Sequence, residues 1–264
     1  MNEVSKDIVQ AWDTISAAYQ SRYKIPADDI HFGPMCPPNR ELNLITDFVG
    51  LDVLEVGCGG GQNITCCARS GARRCVGMDP SASQLDFGRR LAADYNVQVD
   101  FQQRSCEELE LIDGKFDLVI SIYAMMYVEN LSATLKATHD LLRPGGRLLL
   151  SADHPVRLAG EWVGEAFHLR NYFARGWQTW NFDFPEANLK QPMQRYHRTI
   201  ADWIQPLIDS GFSLTGIHEP LPSKQCQDLF GTLSKYGRGS RENVFHPLNL
   251  ERVPGTLILQ GVAL

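Results

Sequence analysis

The 264-residue sequence lacks several things that would have fixed its class early. Apolar residues never run uninterrupted for the roughly 18 positions a membrane-spanning helix needs, and the first residues, MNEVSKDIVQAWD, contain no apolar leader core, so a cytoplasmic chain without a membrane partner is expected. There is no basic excess: 25 Lys and Arg stand against 31 Asp and Glu, a formal charge of −6, which disfavours a nucleic-acid partner. The 7 cysteines show no repeated C-x-x-C spacing and no matching histidine pair, which excludes the common zinc frameworks and leaves reduced, buried thiols as the expectation, with no metal. Internal repeats and low-complexity tracts are also missing.

What is present is an alternation. After an amphipathic segment from about Ser5 to Tyr23, with Ile8, Trp12, Ile15 and Tyr19 at helical spacing, comes a Pro- and Gly-rich stretch ending near residue 40. A short helix is expected from Glu41 to Phe48. From Asp52 onward short apolar runs (VLEVG, RCVGMD, FDLVISI, GRLLLSAD) alternate with helical patterns, the signature of a parallel sheet wound by right-handed crossovers. Pro144-Gly145-Gly146 reads as a helix-to-strand stop. The rhythm breaks after Asp153, where Trp162, Phe167, Tyr172, Phe173, Trp177, Trp180, Phe182 and Phe184 crowd a segment without a clear period. A helix from about Thr199 to Ser210, a strand at FSLTGIHEP, a helical stretch near Ser223 to Lys235 and a last strand, TLILQGVA, complete the chain, the two strands pairing antiparallel at the sheet edge. The expectation is one domain: lid and loop over 1–40, ligand-binding core over 41–153, insertion over 154–198, and the rest of the sheet over 199–264.

The first strand ends in Glu55-Val56-Gly57-Cys58-Gly59-Gly60-Gly61 and runs straight into a helix, a turn at which backbone approaches a ligand closely. The dinucleotide fingerprint needs a third glycine at position 62, where Gln62 stands, and no Lys-Ser or Lys-Thr follows for a P-loop. Glu55 would repel a pyrophosphate and suit a cationic amino-acid tail. Asp79, about 20 residues after Gly59 at the end of the next strand, has the separation of an acid that binds both hydroxyls of a ribose. Pro80 and a helix beginning near Ser81, carrying Gln84, close that edge.

These residues resemble the class I S-adenosylmethionine-dependent methyltransferases, in particular small-molecule enzymes whose first motif reads like V-L-E-V-G-C-G-x-G. The resemblance covers about Val53 to Asp153 and implies a doubly wound, mostly parallel seven-stranded sheet with an N-terminal helical lid and an aromatic insertion after the fifth strand. It implies S-adenosyl-L-methionine as cofactor, held by Gly57, Cys58 and Gly59, by Asp79 with Pro80 and Gln84, by the Ser105-Cys106-Glu107 turn beside the adenine, and by Ser121 and Tyr123 at the methionine end. Where many relatives carry an aspartate, this chain has Ser105, so Ser105 or Glu107 is the expected partner of the adenine amino group. Tyr19 of the lid is placed over the cofactor carboxylate.

Methyl transfer from a sulfonium is an in-line displacement that depends on alignment and water exclusion more than on acid-base power. A base helps when the acceptor is a hydroxyl, an amide or a carbon acid. His154, just after the fifth strand, and His197, just before the helix that follows the insertion, are the candidates, each weighed against a bracing role. The aromatic insertion reads as the wall of a pocket for a small, aromatic or isoprenoid-like acceptor methylated at O, N or C, in a monomer or homodimer. Arg157, Arg170, Arg175, Arg195 and Arg198 in the same half suit an acidic acceptor or offset nearby acids. The alternatives are a non-catalytic or regulatory cofactor-binding protein, and an enzyme acting on protein or RNA.

Overall fold

The computed structural model describes residues 3–223 and 245–264. Its centre is a seven-stranded sheet in the order β10-β11-β5-β4-β1-β2-β3. The strands are β1 (Asp52–Val56), β2 (Arg74–Asp79), β3 (Asp100–Gln103), β4 (Phe116–Ile122), β5 (Leu142–Asp153), β10 (Phe212–His218) and β11 (Thr256–Ala263). The strands β1 to β5 pair in parallel, whereas β11 runs antiparallel to both β5 and β10. The first motif becomes β1 because it is the middle of the sheet: all five of its residues are buried, and apolar side chains are needed on both faces when helices cover both. Leu54 and Val56 join one core with Leu135, Leu148 and Trp203, while Val53 joins the other with Ile64, Leu85 and Leu118.

Helices α3 (Gln62–Arg69), α4 (Ala82–Asp94), α5 (Leu131–Leu141) and α7 (Ile200–Asp209) flank this sheet. The lid, α1 (Glu3–Tyr23), starts two residues earlier than its periodicity suggests. Pro-rich residues 24–38 form a loop as expected, but an anchored one: Ile30 and Phe32 are fully buried, and the Ser151 hydroxyl donates to the Phe32 carbonyl at 2.7 Å.

Three expectations need correction. The second helix, α2, spans only Asn39–Leu42, because Asn43 turns left-handed (φ 52°) and Asn39 holds the chain beyond it, its side chain bonding Leu44 N, Ile45 N and the Ile45 carbonyl. Pro144-Gly145-Gly146 does not separate helix from strand but lies inside β5, where the pairing with β4 jumps from Phe116–Leu142 to Leu118–Arg147. The insertion is not irregular. After the short α6 (Pro155–Leu158) it forms two antiparallel hairpins, β6 (Gly160–Val163) with β7 (Ala166–Leu169) and β8 (Gly176–Phe184) with β9 (Leu189–His197). A last short helix, α8 (Pro247–Leu250), precedes β11. The stretch expected to be helical near Ser223 to Lys235 lies, except for Ser223, outside the described residues.

Among the described residues no helix is long and apolar enough to cross a membrane, no group of acids, histidines and cysteines is arranged to hold a metal ion, and six cysteines are free thiols.

Candidate functional site

The strand order reverses between β1 and β4, and in open α/β sheets the crevice at the carboxyl ends of the strands on either side of such a reversal is where ligands bind. Each residue of the first motif is placed there by a specific contact. The amides of Gly57 and Cys58 both donate to the Met78 carbonyl, at 2.8 and 2.9 Å, folding the glycine turn back over the end of β2. Gly57 has φ 70° and lies so near β4 that a Cβ there would sit 2.2 Å from the Ala124 Cβ. Gly59 also takes a left-handed φ (50°), but nothing of the protein lies within 4 Å of its would-be Cβ. That open backbone is the cradle in which a ligand can approach the chain.

Asp79 faces this cradle. One carboxylate oxygen accepts from Gly59 N and the other from Ser81 N, both at 2.9 Å. Each oxygen keeps a further lone-pair direction, so one carboxylate offers two acceptor sites side by side, the complement of a vicinal diol. Burial pushes its acid up to about 6, against the lowering effect of those two amides. Pro80 continues the edge and its carbonyl accepts from Gln103 Nε2.

The lid is tied across the same edge. Gln62 Nε2 donates to Gln20 Oε1 at 2.7 Å, and Gln20 Nε2 donates to Gln84 Oε1 at 2.8 Å, a buried relay from α3 through α1 to α4. One helical face earlier, Asp13 Oδ1 accepts from Ser81 Oγ (2.6 Å) and Ser83 N (3.0 Å). Tyr19 sits between these ties, its ring 5.2 Å from Trp12 and 5.9 Å from Phe182. At the far end Arg22 reaches the β8–β9 turn, donating to Glu186 and, at 2.6 Å, to the Asp183 carbonyl. The lid therefore joins the glycine edge to the second hairpin.

Several residues expected to touch the cofactor have other work. Glu55 is 2% exposed, its two oxygens accepting from Asn63 Nδ2 (3.2 Å) and Ile64 N (2.9 Å) in the first turn of α3. Desolvation raises its acid to about 8, the two hydrogen bonds pulling the other way. It thus braces the first turn of α3 from below the glycine turn. Ser121 Oγ donates to the Val56 carbonyl at 3.0 Å and clips β4 to β1. Ser105 is an N-cap: its amide and hydroxyl both donate to Glu108 Oε2, at 2.9 and 3.0 Å, which fixes the hydroxyl and leaves its oxygen only as an acceptor. Glu107 is exposed and accepts from Ser5 Oγ of the lid. Gln84 is engaged by Gln20. The thiols of Cys58 and Cys106 are pushed up by burial, that of Cys106 to about 12, so neither is a nucleophile at neutral pH and Cys58 contributes its backbone.

On the other side of the crevice, Tyr123 ends β4 with a left-handed backbone (φ 54°), a conformation that costs a bulky residue and is found where surrounding structure imposes it. Its hydroxyl meets Thr256 Oγ1 at 2.7 Å, which ties the ring to β11. A short 3-10 turn carries the chain to Tyr127, a residue with no signal of its own in the sequence, whose ring stacks on Trp180 at 6.3 Å and meets Trp12 edge-on at 6.1 Å. Trp180, Phe182, Phe184, Met193, Arg195 and His197 alternate along one face of the second hairpin, and Trp180, Phe182, Phe184 and Met193 close on the lid. Of the eight insertion aromatics, Trp177, Trp180, Phe182 and Phe184 pack with the lid. Trp162 and Phe167 pack on each other in the first hairpin, and Phe173 is 74% exposed.

The two histidines part company. His154 is the N-cap of α6: Nδ1 accepts from Val156 N (3.2 Å) and Nε2 lies 2.7 Å from Glu219 Oε1. Both ring nitrogens are used within the chain, which replaces the expectation of a base with that of a brace. His197 is fully buried, with Nε2 3.2 Å from the Tyr172 carbonyl and Nδ1 without a partner among the described residues. A carbonyl can only accept, so Nε2 carries the proton and Nδ1 keeps its lone pair. Burial lowers the pKa and holds the ring neutral.

The fold, a glycine turn with an open cradle, and an acid beside it with two acceptor directions to spare form a Rossmann-like site suited to a ribose. Residues 53–146 match the family model described as a methyltransferase domain. The chain is 32% identical over 145 residues to the ubiquinone biosynthesis O-methyltransferase of Ruegeria pomeroyi, covering 54% of this chain and 58% of that protein. It is 28% identical over 218 residues to an uncharacterised protein of Haemophilus influenzae, covering 77% and 84% respectively. It thus spans little more than half the length of the first relative whose activity is named. In fold it superposes on a putative S-adenosylmethionine-dependent methyltransferase from Listeria monocytogenes with a TM-score of 0.63, at 23% identity over 86% of this chain and 97% of that one. Over residues 53–146 the chain thus carries the sequence of a methyltransferase domain, and the likeness to solved structures shows the fold; S-adenosylmethionine is the cofactor of that class.

Proposed function

We propose that this protein transfers the methyl group of S-adenosylmethionine to an O, N or C nucleophile of a small molecule held between Tyr123, Tyr127 and the inner face of the second hairpin. The observation that carries this reading is the open backbone at Gly59 beside the two free acceptor directions of Asp79, a fit to ribose and to a close-lying amino-acid tail. When bound, the cofactor supplies an electrophilic methyl with its own leaving group. The protein's part is to align and to exclude water: Asp79 anchors the ribose, the Gly57–Gly59 backbone follows the cofactor chain, and the lid, pinned by Gln20 and Asp13, covers the edge. For a phenolic or other hydroxyl acceptor, His197 Nδ1 is the group that can take the proton. The O-methyltransferase named among the relatives makes a hydroxyl the first acceptor to test. The test is mass spectrometry of a metabolite extract incubated with the protein and methyl-deuterated cofactor. Labelled small molecules are expected; label confined to protein or RNA would overturn the reading.

A further inference from the structure

At the carboxyl end of β5, beside the proposed acceptor space, the charges of the described residues do not balance. Asp153 is 4% exposed, and it is shared: Arg157 pairs with one of its oxygens and Arg195 Nη1 with the other at 3.0 Å. Among the described residues these are the two arginines' only ion pairs, so two guanidiniums, that of Arg157 buried and that of Arg195 17% exposed, face one carboxylate. Arg157, also 4% exposed, spends Nε on the Gly255 carbonyl. Arg195 leaves its Nε, a buried donor, without a partner among the described residues. Other acids of this half are committed elsewhere, Glu161 to Arg170, Glu219 to His154 and Asp202 to Arg175 and Thr199. Burial lowers both guanidiniums to about 10. An uncompensated buried charge is costly and persists where something binds to it.

The surroundings say where that charge is presented. Arg195 lies over the Trp180 ring, 4.6 Å from its centroid, and Trp180 stacks on Tyr127. Tyr123, next in chain to the Ala124 that touches Gly57, is close enough to both arginines to interact with their charge. A flat aromatic wall thus ends in planar forks of N–H donors, one strand away from the glycine turn.

We infer that Arg157 and Arg195, on their shared Asp153, are the specificity-determining residues of the acceptor site and seat a carboxylate borne by an aromatic acceptor. The inference rests on the methyl-transfer reading, since it assigns the recognised group of that reaction's second substrate. A planar fork matches a carboxylate in two parallel bonds, which neither a neutral amide nor an ester of the same shape can replace. Asp153 orients the forks and leaves one positive charge for the ligand.

The test measures binding of benzoate and of benzamide, by calorimetry, to the protein saturated with S-adenosylhomocysteine. Benzoate should bind at least about tenfold more tightly. Arg195→Gln should erase that preference while S-adenosylhomocysteine affinity stays within about twofold, and Arg195→Lys, which keeps the charge without the fork, should retain part of it. Equal affinity for the two probes, no binding of either, or an undiminished preference in Arg195→Gln overturns the carboxylate seat. The wild-type comparison stands even if a variant folds poorly. If S-adenosylhomocysteine itself does not bind, it is the methyltransferase reading that fails, and the two failures are told apart.

Discussion

Replacing Glu55 by Gln should change how stability depends on pH, and the size of the change follows from where Glu55 sits. The carboxyl is 2% exposed, and burial raises it from 4.5 to about 8. In the unfolded chain it ionises near 4.5, so between about pH 4.5 and 8 the folded protein holds a proton that the unfolded chain has lost. Stability therefore falls as pH rises through that window, by about 1.4 kcal/mol per pH unit for this one group. Glu55→Gln cannot ionise and removes that slope. The amide must turn one N–H donor toward Asn63 or Ile64, so the variant carries a constant cost of about 1 kcal/mol from a lost acceptor. Urea unfolding of both proteins at pH 5 and pH 7.5 checks this. The wild type should lose about 3 kcal/mol more than the variant between the two. Parallel pH dependences would refute the placement of Glu55 as a buried brace of α3 with a raised pKa.

Gly57→Ala should be among the most damaging single changes in the core, because its Cβ would overlap the Ala124 Cβ at 2.2 Å and the backbone there is left-handed; a loss of about 3 kcal/mol or more in urea unfolding is expected. Gly59→Ala meets no protein atom, so it should cost only about 1 kcal/mol of stability yet lower S-adenosylhomocysteine affinity by about tenfold or more. His154→Gln should cost about 1–2 kcal/mol through the lost α6 cap and the Glu219 link, with turnover unchanged at equal folded protein. His197→Gln should lower kcat by about a hundredfold or more on a hydroxyl acceptor while leaving cofactor affinity intact; equal turnover would make it a brace as well.

The sheet was legible because buried parallel strands leave short apolar runs, as in Leu118 to Ile120 and Leu148 to Leu150, and because the turns between them carry glycine where backbone must cross closely. Residues whose role depends on partners far along the chain were not legible. Glu55 looked like a ligand because a carboxylate beside a glycine turn is read from its charge; only the packed structure shows Asn63 and Ile64 using both oxygens. Ser105 was read as a substitute for an aspartate, although Ser105-x-x-Glu108 already spells a capping box. The second hairpin also carried its own signal: Trp180, Phe182 and Phe184 alternate before the turn and Met193, Arg195 and His197 after it. A count of aromatics obscured that period of two, and with it the fact that Arg195 shares a face with Trp180. Gln20, Asp13 and Tyr127 left no local trace, since each acts through elements at least 40 residues away or through a single 3-10 turn.

The central claim is that the Gly57–Asp79 edge binds the ribose and amino-acid tail of S-adenosylmethionine rather than a dinucleotide. The most direct measurement is calorimetric titration of the wild type and Asp79→Ala with S-adenosylhomocysteine and with NAD. The account predicts micromolar binding of S-adenosylhomocysteine and none of NAD, with the former lost in Asp79→Ala. Tight binding of NAD, or unchanged S-adenosylhomocysteine affinity without the Asp79 carboxylate, would contradict it.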